Sequence, residues 1–250
     1  SSGKALQACT SHDLGQNFAK AFDIKFQDKE GGESFVWQTS WGFSTRSVGG
    51  LILSHGDENG LRLPPRLAPH QVVIVPVRVE DDIMKYCEII ASDLRKQGIR
   101  VKIDNRDDET FGFRLNKWEV KGAPVLLKIG AKEITDKHIT YKRRDSGSEE
   151  TLPASDFTGS IQSLLDTIQS DLFKESQEHL RANTREAHSY DEFKELLKKH
   201  KGFIKVYWND NPEVEKRIKD ETKATSRCRP LCFEGEKPGK DFITGEEAHH

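Results

Sequence analysis

Two short polar stretches hold the side chains best suited to chemistry. Gln7-Ala-Cys-Thr-Ser-His12 and Trp41-Gly-Phe-Ser-Thr-Arg46 bring together an amide, hydroxyls, an imidazole, a flat aromatic and a guanidinium. A guanidinium forks a phosphate or stacks on a purine, and Gln and Thr hydrogen-bond base and ribose edges. The set suits a nucleotide beside a small polar ligand. On residue types alone the plainer account weighs more: Thr10 and Ser44 cap helices, and Arg46 is a solvated first-turn charge.

Other candidates have plainer explanations. His55 follows Val48, Leu51 and Ile52 at helical spacing and reads as a satisfied helix-end histidine. Trp118 reads as core, with Lys117 and Glu119 flanking it, and Cys87 sits on an apolar helix face. Cys228 and Cys232 have a tempting spacing, but a tetrahedral zinc site needs two more ligands. The run Lys198-Lys-His-Lys201 reads as a solvated helix end. For Arg143 and Arg144, a nucleic-acid phosphate contact and a structural role weigh equally.

The elements that must position these groups fall into three parts. The first runs to Leu63-Pro64-Pro65, where regular structure stops, and holds a strand at Phe35-Val36-Trp37 and a helix from Ser44 to about Gly56. From Gln71 strands and helices alternate. Residues 71–77, 99–103 and 124–129 read as strands, and Ile134 to Lys142 as an edge strand. Helices are expected along Ile83, Cys87, Ile90 and Leu94, from Phe111 to Lys121, and from Ile161 to Leu172. Asp145 to Pro153 reads as a surface loop. This order implies a small mixed sheet with helices packed on it. Beyond Leu172 the helix loses its apolar stripe and becomes a connector. A third α/β unit follows: a helix at Tyr190 to Leu197, a strand from Phe203 to Trp208, and a helix from Pro212 to Thr222.

The chain has 250 residues, a length that the usual prior divides into about two domains. Its 39 Lys and Arg against 41 Asp and Glu exclude a histone-like cation, though not a basic face on a near-neutral whole. No apolar run approaches the ~20 residues that span a bilayer, and the first residues lack the basic-then-apolar pattern expected of a signal peptide. The four cysteines are scattered, which suits a reducing compartment. A soluble cytoplasmic protein without membrane partners is the expectation. The opening Ser1-Ser2-Gly3 and the closing His249-His250 read as the ends of a piece cut from a longer protein.

Several stretches, in order, carry a resemblance. Gln7-Ala-Cys-Thr-Ser-His-Asp-Leu-Gly-Gln-Asn-Phe18 resembles the stretch before motif 3 in prolyl-tRNA synthetases. Ser40-Trp-Gly-Phe-Ser-Thr-Arg46, His55-Gly-Asp and Gly60-Leu-Arg-Leu-Pro-Pro65 are similar to motif 3 itself. Gln71 to Ile168 resembles the anticodon-binding domain of the same enzymes. Gly112-Phe113 and Lys117-Trp-Glu119 follow its Gly-x-Lys-Phe-x-x-Trp-Glu theme, while Arg114 to Asn116 depart from it. Glu221-Thr-Lys-Ala-Thr-Ser-Arg-Cys228 resembles the extra C-terminal domain of the archaeal- and eukaryotic-like branch.

The resemblance implies an α/β architecture in three parts. Residues 1–67 would end a class II antiparallel-sheet catalytic domain, 68–172 would form a mixed-sheet anticodon-binding domain, and 173–250 a connector helix and small C-terminal α/β domain. It implies ATP contacts at Gln7, Thr10, Ser44 and Arg46, and proline contacts at His12 and Trp41. Anticodon contacts are expected at Arg106, Lys117 and Glu119. No catalytic general base is implied with certainty; His12 fits a pocket-shaping role better. The implied partners are L-proline, ATP with Mg²⁺, tRNA(Pro) and a second copy in a homodimer. Motifs 1 and 2 of the family lie upstream of this sequence, so the segment alone is expected to be inactive. The other reading is a non-catalytic paralogue that keeps the anticodon-type fold for RNA or regulatory contacts. Survival of Gln7, Thr10, His12 and Arg46 weighs for the enzyme.

The resemblance also bears on metal. Relatives often close a zinc site in the C-terminal domain with two Cys pairs, and the matching positions here are Asn209, Val214, Asp241 and Ile243. Two of these cannot ligate zinc, so no zinc is expected. Cys228 then falls at a core position, and Phe203, Val206, Trp208, Val214, Ile218 and Leu231 are the candidate core.

Overall fold

Strand placement in the middle of the chain follows from apolar runs that have no polar face. In the computed structural model, which describes residues 6–228 and 239–248, the first elements are short. Strand β1 (Cys9–Gly15) leads to helix α1 (Asn17–Ala21), strands β2 (Lys25–Gln27) and β3 (Glu33–Phe35), strand β4 (Gln38–Phe43) and helix α2 (Arg46–His55). A two-residue hairpin, β5 (Gly56–Asp57) and β6 (Gly60–Leu61), closes this part. Strands β1 and β4 pair antiparallel, as do β2 with β3 and β5 with β6. Only Ala19, Pro64 and Pro65 are buried among the described residues up to Leu67. The expected strand at Phe35-Val36-Trp37 is cut back to β3, and Trp37 stands 75% exposed.

The next part is built on a five-stranded mixed sheet. It comprises β7 (Val72–Pro76), α3 (Asp81–Lys96), β8 (Val101–Ile103), α4 (Phe111–Val120), β9 (Val125–Ile129), α5 (Ala131–Asp136), β10 (His138–Arg143), β11 (Glu149–Pro153) and α6 (Ala154–Ala182). The spatial order is β11-β10-β9-β7-β8. The pairs β8–β7 and β7–β9 are parallel, while β9–β10 and β10–β11 are antiparallel. Every residue of β7 is buried, which its uninterrupted apolar run requires. Val72 and Ile74 face α3 and α6, whereas Val73 and Val75 face Trp118 of α4. Helix α3 buries Ile83, Cys87, Ile90, Ala91 and Leu94, one stripe at helical spacing. Burial pushes the Cys87 thiol up to about 12.

Two expectations here are corrected. Ile134 to Lys142 is not one edge strand: it divides into the end of α5 and the interior strand β10, separated by Lys137 in the left-handed conformation. Residues 145–153 are not all loop, because Glu149–Pro153 pairs with β10 as the real edge strand. Its Glu-Glu-Thr sequence is exposed and polar, as an edge strand protected from aggregation is.

The described residues form two compact units that divide between Phe173 and Lys174, within α6. The second unit holds β12 (Thr184–Glu186), α7 (Tyr190–Lys199), β13 (Phe203–Lys205) and α8 (Pro212–Thr222), with β12 and β13 parallel. Ser189 and Asn211 cap the starts of α7 and α8 through side-chain oxygens. Ala187, Phe193 and Phe242 form the buried centre, with Ile204, Val206, Trp208 and Ile218 packed on it. Phe203, expected in this core, is exposed because the two-residue period turns Ile204, Val206 and Trp208 inward instead. Val214 is only half-buried, and Cys228 is exposed rather than core. Leu231 and Cys232 lie outside the described residues.

Candidate functional site

The first cluster sits on the β1–β4 pair and the start of α2. Directly opposed residues share a face of an antiparallel pair. Thr10 opposes Gly42 and His12 opposes Ser40, which puts these four on one face, while Ser11 and Trp41 lie on the other. Glycine at 42 leaves room for Thr10: a Cβ there would come 2.7 Å from the Thr10 Oγ1. Arg46 opens α2 and its Nη1 donates to Gln7 Oε1 at 3.5 Å, while Ser44 Oγ accepts the Arg46 backbone N–H at 3.4 Å. Gln7, Ser44 and Arg46 therefore meet at one end of the pair. Thr10 and His12 share a face beside them, and Trp41, 85% exposed, points away from that face.

Thr10 lies within a strand and caps no helix. Ser44 does meet the first N–H of α2, as the plainer account expects, but its hydroxyl remains exposed and able to take a second partner. The cluster combines a cation, an amide and hydroxyls with no covalent nucleophile held by a base. Such a set binds and orients charge rather than attacking a bond itself.

A second cluster occupies the C-terminal ends of the parallel strands β7 and β8, the end at which open α/β sheets receive ligands. Asp104, directly after β8, is 2% exposed, and besides the Arg106 backbone N–H at 3.4 Å its carboxylate accepts three side-chain bonds. They come from Arg106 Nε at 2.8 Å, Arg106 Nη2 at 2.5 Å and Trp118 Nε1 at 2.7 Å. Burial pushes its carboxyl up, but these donors prevail and hold it at about 2. Glu109 Oε2 lies 2.6 Å from Arg106 Nη1, and its Oε1 3.5 Å from Lys117 Nζ. Arg106 and Lys117 are thus brought together through Glu109. Arg114, buried, straps the two strand ends: its Nη1 donates to the Asp104 carbonyl at 2.8 Å and its Nη2 to the Pro76 carbonyl at 2.7 Å. Glu119 stands apart from Arg106, with Oε1 2.5 Å from Lys142 Nζ on β10.

Asp104, Glu109 and Arg114 were not among the residues that sequence reasoning marked. The available signal was the charged run Asp104-Asn-Arg-Asp-Asp-Glu109 placed just after an apolar strand. The cations Arg143 and Arg144, by contrast, are not free for phosphate. Arg143 is held by Asp145 at 2.6 Å and Asp171 at 2.9 Å. Arg144 is buried and forks Asp57 at 2.6 and 2.9 Å.

In the second unit the positions compared with zinc ligands are organised differently. Asp241, 2% exposed, accepts the backbone N–H of Ile243 and Thr244 at 2.8 Å and of Asn209 at 2.9 Å. Burial works against its charge, yet these N–H groups hold the carboxyl below its usual range. Val214 and Ile243 carry no ligating atom. Among the described residues no three His, Cys, Asp or Glu side chains gather as metal ligands, and no helix is long and apolar enough to cross a membrane.

The comparisons with known proteins agree in one direction. Residues 71–164 match the model of the anticodon binding domain, and residues 190–250 that of the prolyl-tRNA synthetase C-terminal domain. A proline--tRNA ligase of Salinibacter ruber is 44% identical over 248 residues, 98% of this chain and 50% of the relative. One from Porphyromonas gingivalis is 47% identical with the same coverage. A crystal structure of prolyl-tRNA synthetase from Cryptosporidium parvum, complexed with halofuginone and AMPPNP, superposes with a TM-score of 0.88 at 34% identity, over 99% of this chain and 52% of that one. The chain spans about half the length of the curated relatives it matches. With the mixed α/β fold, these matches place the chain in the prolyl-tRNA synthetase family.

Proposed function

We propose that the chain works as part of a proline--tRNA ligase, which joins L-proline to ATP and passes the prolyl group to tRNA(Pro). The observation that carries this reading is its match to proline--tRNA ligases at 44% and 47% identity over 98% of its length. In the first step a proline carboxylate oxygen attacks the α-phosphorus and pyrophosphate leaves. In the second, a terminal ribose hydroxyl attacks the prolyl carbonyl and AMP leaves. Residues 1–67 would complete a catalytic domain, 68–172 would read the anticodon, and 173–250 would form the C-terminal appendage. Arg46, with Gln7, Thr10 and Ser44, would hold ATP; Mg²⁺ enters with the nucleotide and neutralises phosphate charge. His12 would border the proline pocket. Trp41 would wall the pocket on the strength of the resemblance alone, since it stands on the face of the strand pair opposite to His12.

Arg106, Lys117 and Glu119 would supply donors and an acceptor to guanine edges of the anticodon. A homodimer in the cytoplasm completes the reading. No zinc is assigned to the second unit, a reading supported by the two side chains that cannot ligate and by the engagement of Asp241 with backbone N–H groups.

The test is proline-dependent ATP–pyrophosphate exchange in the full-length enzyme. Arg46→Ala should lower it by about 100-fold or more, since a guanidinium aimed at developing phosphate charge has no neighbouring substitute. Exchange at the wild-type rate would remove Arg46 from the ATP site. The 250-residue chain alone should show none.

A further inference from the structure

The hairpin β5–β6 and the C-terminal end of α4 approach more closely than any side chain would permit. At Gly60, whose φ is +120°, a Cβ would lie 2.5 Å from the backbone of Val120; at Gly122, φ +78°, it would lie 2.7 Å from Leu61. The backbone joins here as well, with Leu63 N–H donating to the Gly122 carbonyl at 3.2 Å. Asp57, in the hairpin, receives both Nη atoms of Arg144, and Arg144 Nε donates to the Glu119 carbonyl at 2.9 Å. One guanidinium therefore ties the hairpin to the last turn of α4. The hairpin in turn closes on α2, because Arg62 N–H donates to the His55 carbonyl at 2.7 Å. Arg46 stands at the other end of that ten-residue helix, about 14 Å from His55 by helix rise.

We propose that Asp57 and Arg144 are positioning residues for the second step of the reaction: their forked pair fixes the helix that carries Lys117 and Glu119 relative to the helix that carries Arg46. This rests on the reading of α4 as anticodon platform and Arg46 as ATP contact. Neither residue touches substrate in this account. Their work is to keep tRNA bound at α4 in register with the site where the prolyl group waits. A bidentate Arg–carboxylate pair fixes orientation as well as distance, which a lysine point charge does not.

The experiment uses the full-length enzyme and the variants Asp57→Asn, Arg144→Lys and Gly122→Ala. Three readouts separate the roles: proline-dependent pyrophosphate exchange, the tRNA dissociation constant, and kcat for charging of tRNA. We expect exchange and tRNA affinity to stay within about twofold of wild type while charging kcat falls tenfold or more. Gly122→Ala wedges the same contact without touching a charge and should give the same pattern. Melting curves check that each variant is folded; should Arg144→Lys fail, Asp57→Asn and Gly122→Ala carry the test. Charging kcat within twofold of wild type in folded variants would overturn the proposal, and so would an equal fall in exchange and charging. A wild-type enzyme that charges no tRNA would instead overturn the functional reading beneath it.

Discussion

Residues 6–67 and the five-stranded sheet that follows are both rich in apolar and aromatic side chains, yet they dispose of them in opposite ways. The sheet hides Val72, Ile74, Leu127, Phe157 and Ile161 completely. The earlier region leaves Trp37, Trp41, Phe43 and Leu53 at 71–85% exposure. A solitary exposed apolar residue is ordinary, but this many around a two-stranded pair is the kind of surface that a partner or another part of a protein commonly covers. The difference teaches which part of the chain buries its own apolar surface. The sheet part closes its own core, and Arg106 and Lys117 are held there through Asp104 and Glu109, while Glu119 stands apart on Lys142. The β1–β4 part offers the ATP candidates on one wall only.

The sharpest way to break this comparison is to remove core from the sheet. Ile161→Ala should lower the unfolding free energy by about 2–5 kcal/mol, because a fully buried aliphatic side chain leaves both lost burial and a cavity. Urea unfolding of the 250-residue chain, followed by circular dichroism, measures it. A change under about 1 kcal/mol would mean that the sheet is no better packed than the region before it.

Much of the sheet was legible in the sequence because burial on both faces leaves a plain signal: apolar runs for strands and a four-three-four step for α3. The miss at β11 has an equally physical cause, since Glu149-Glu-Thr carries the composition of a loop and becomes a strand only through β10. The family motif led to Gln7 and Arg46, which the structure brings within hydrogen-bond distance, a contact no spacing rule would supply across 39 residues. Asp104 was not, because a buried carboxylate earns no mark in sequence; only the fold shows that Arg106 and Trp118 converge on it. Phe203 failed for a narrower reason. A strand of three residues gives too short a run to fix its inward phase.

The next effect in size belongs to Asp104 and follows pH. Its folded carboxyl titrates at about 2 against an ordinary value of 3.8. A carboxyl depressed by folding stabilises the native state above the unfolded value and loses that contribution as pH falls toward the folded one. It should contribute on the order of 2 kcal/mol at neutral pH. Asp104→Asn should therefore destabilise most near pH 7, and the gap to wild type should close between pH 4 and pH 2. Urea midpoints at several pH values would show it; a gap independent of pH would assign the loss to shape rather than charge.

A smaller effect is expected at Glu119. Replacing it by alanine releases Lys142 and removes the acceptor offered to a guanine edge. KM for tRNA should rise about tenfold, equivalent to about 1.4 kcal/mol, with pyrophosphate exchange unchanged. Equal loss of both activities would make Glu119 a structural partner of Lys142 only. This measurement sharpens the comparison, because it asks whether the assembled region reads tRNA through its exposed face or merely holds itself together there.

The smallest effect is expected where the side chain is large. Phe43 lies on β4 opposite Cys9 and is 79% exposed, so in the 250-residue chain it has little burial to lose. Phe43→Ala should change the unfolding free energy of that chain by no more than about 0.5 kcal/mol, the range of ordinary surface substitutions. The same substitution in the full-length enzyme should cost several times more if the β1–β4 pair there meets a covering surface, since burying an aromatic ring contributes about 1.5–3 kcal/mol. Unfolding midpoints of the two proteins, each with and without the substitution, form a cycle whose difference isolates what covers the ring. Equal small changes in both would leave this face bare in the enzyme. The contrast between the two regions would then reflect weak packing in residues 6–67, and not a wall that waits for the rest of its site.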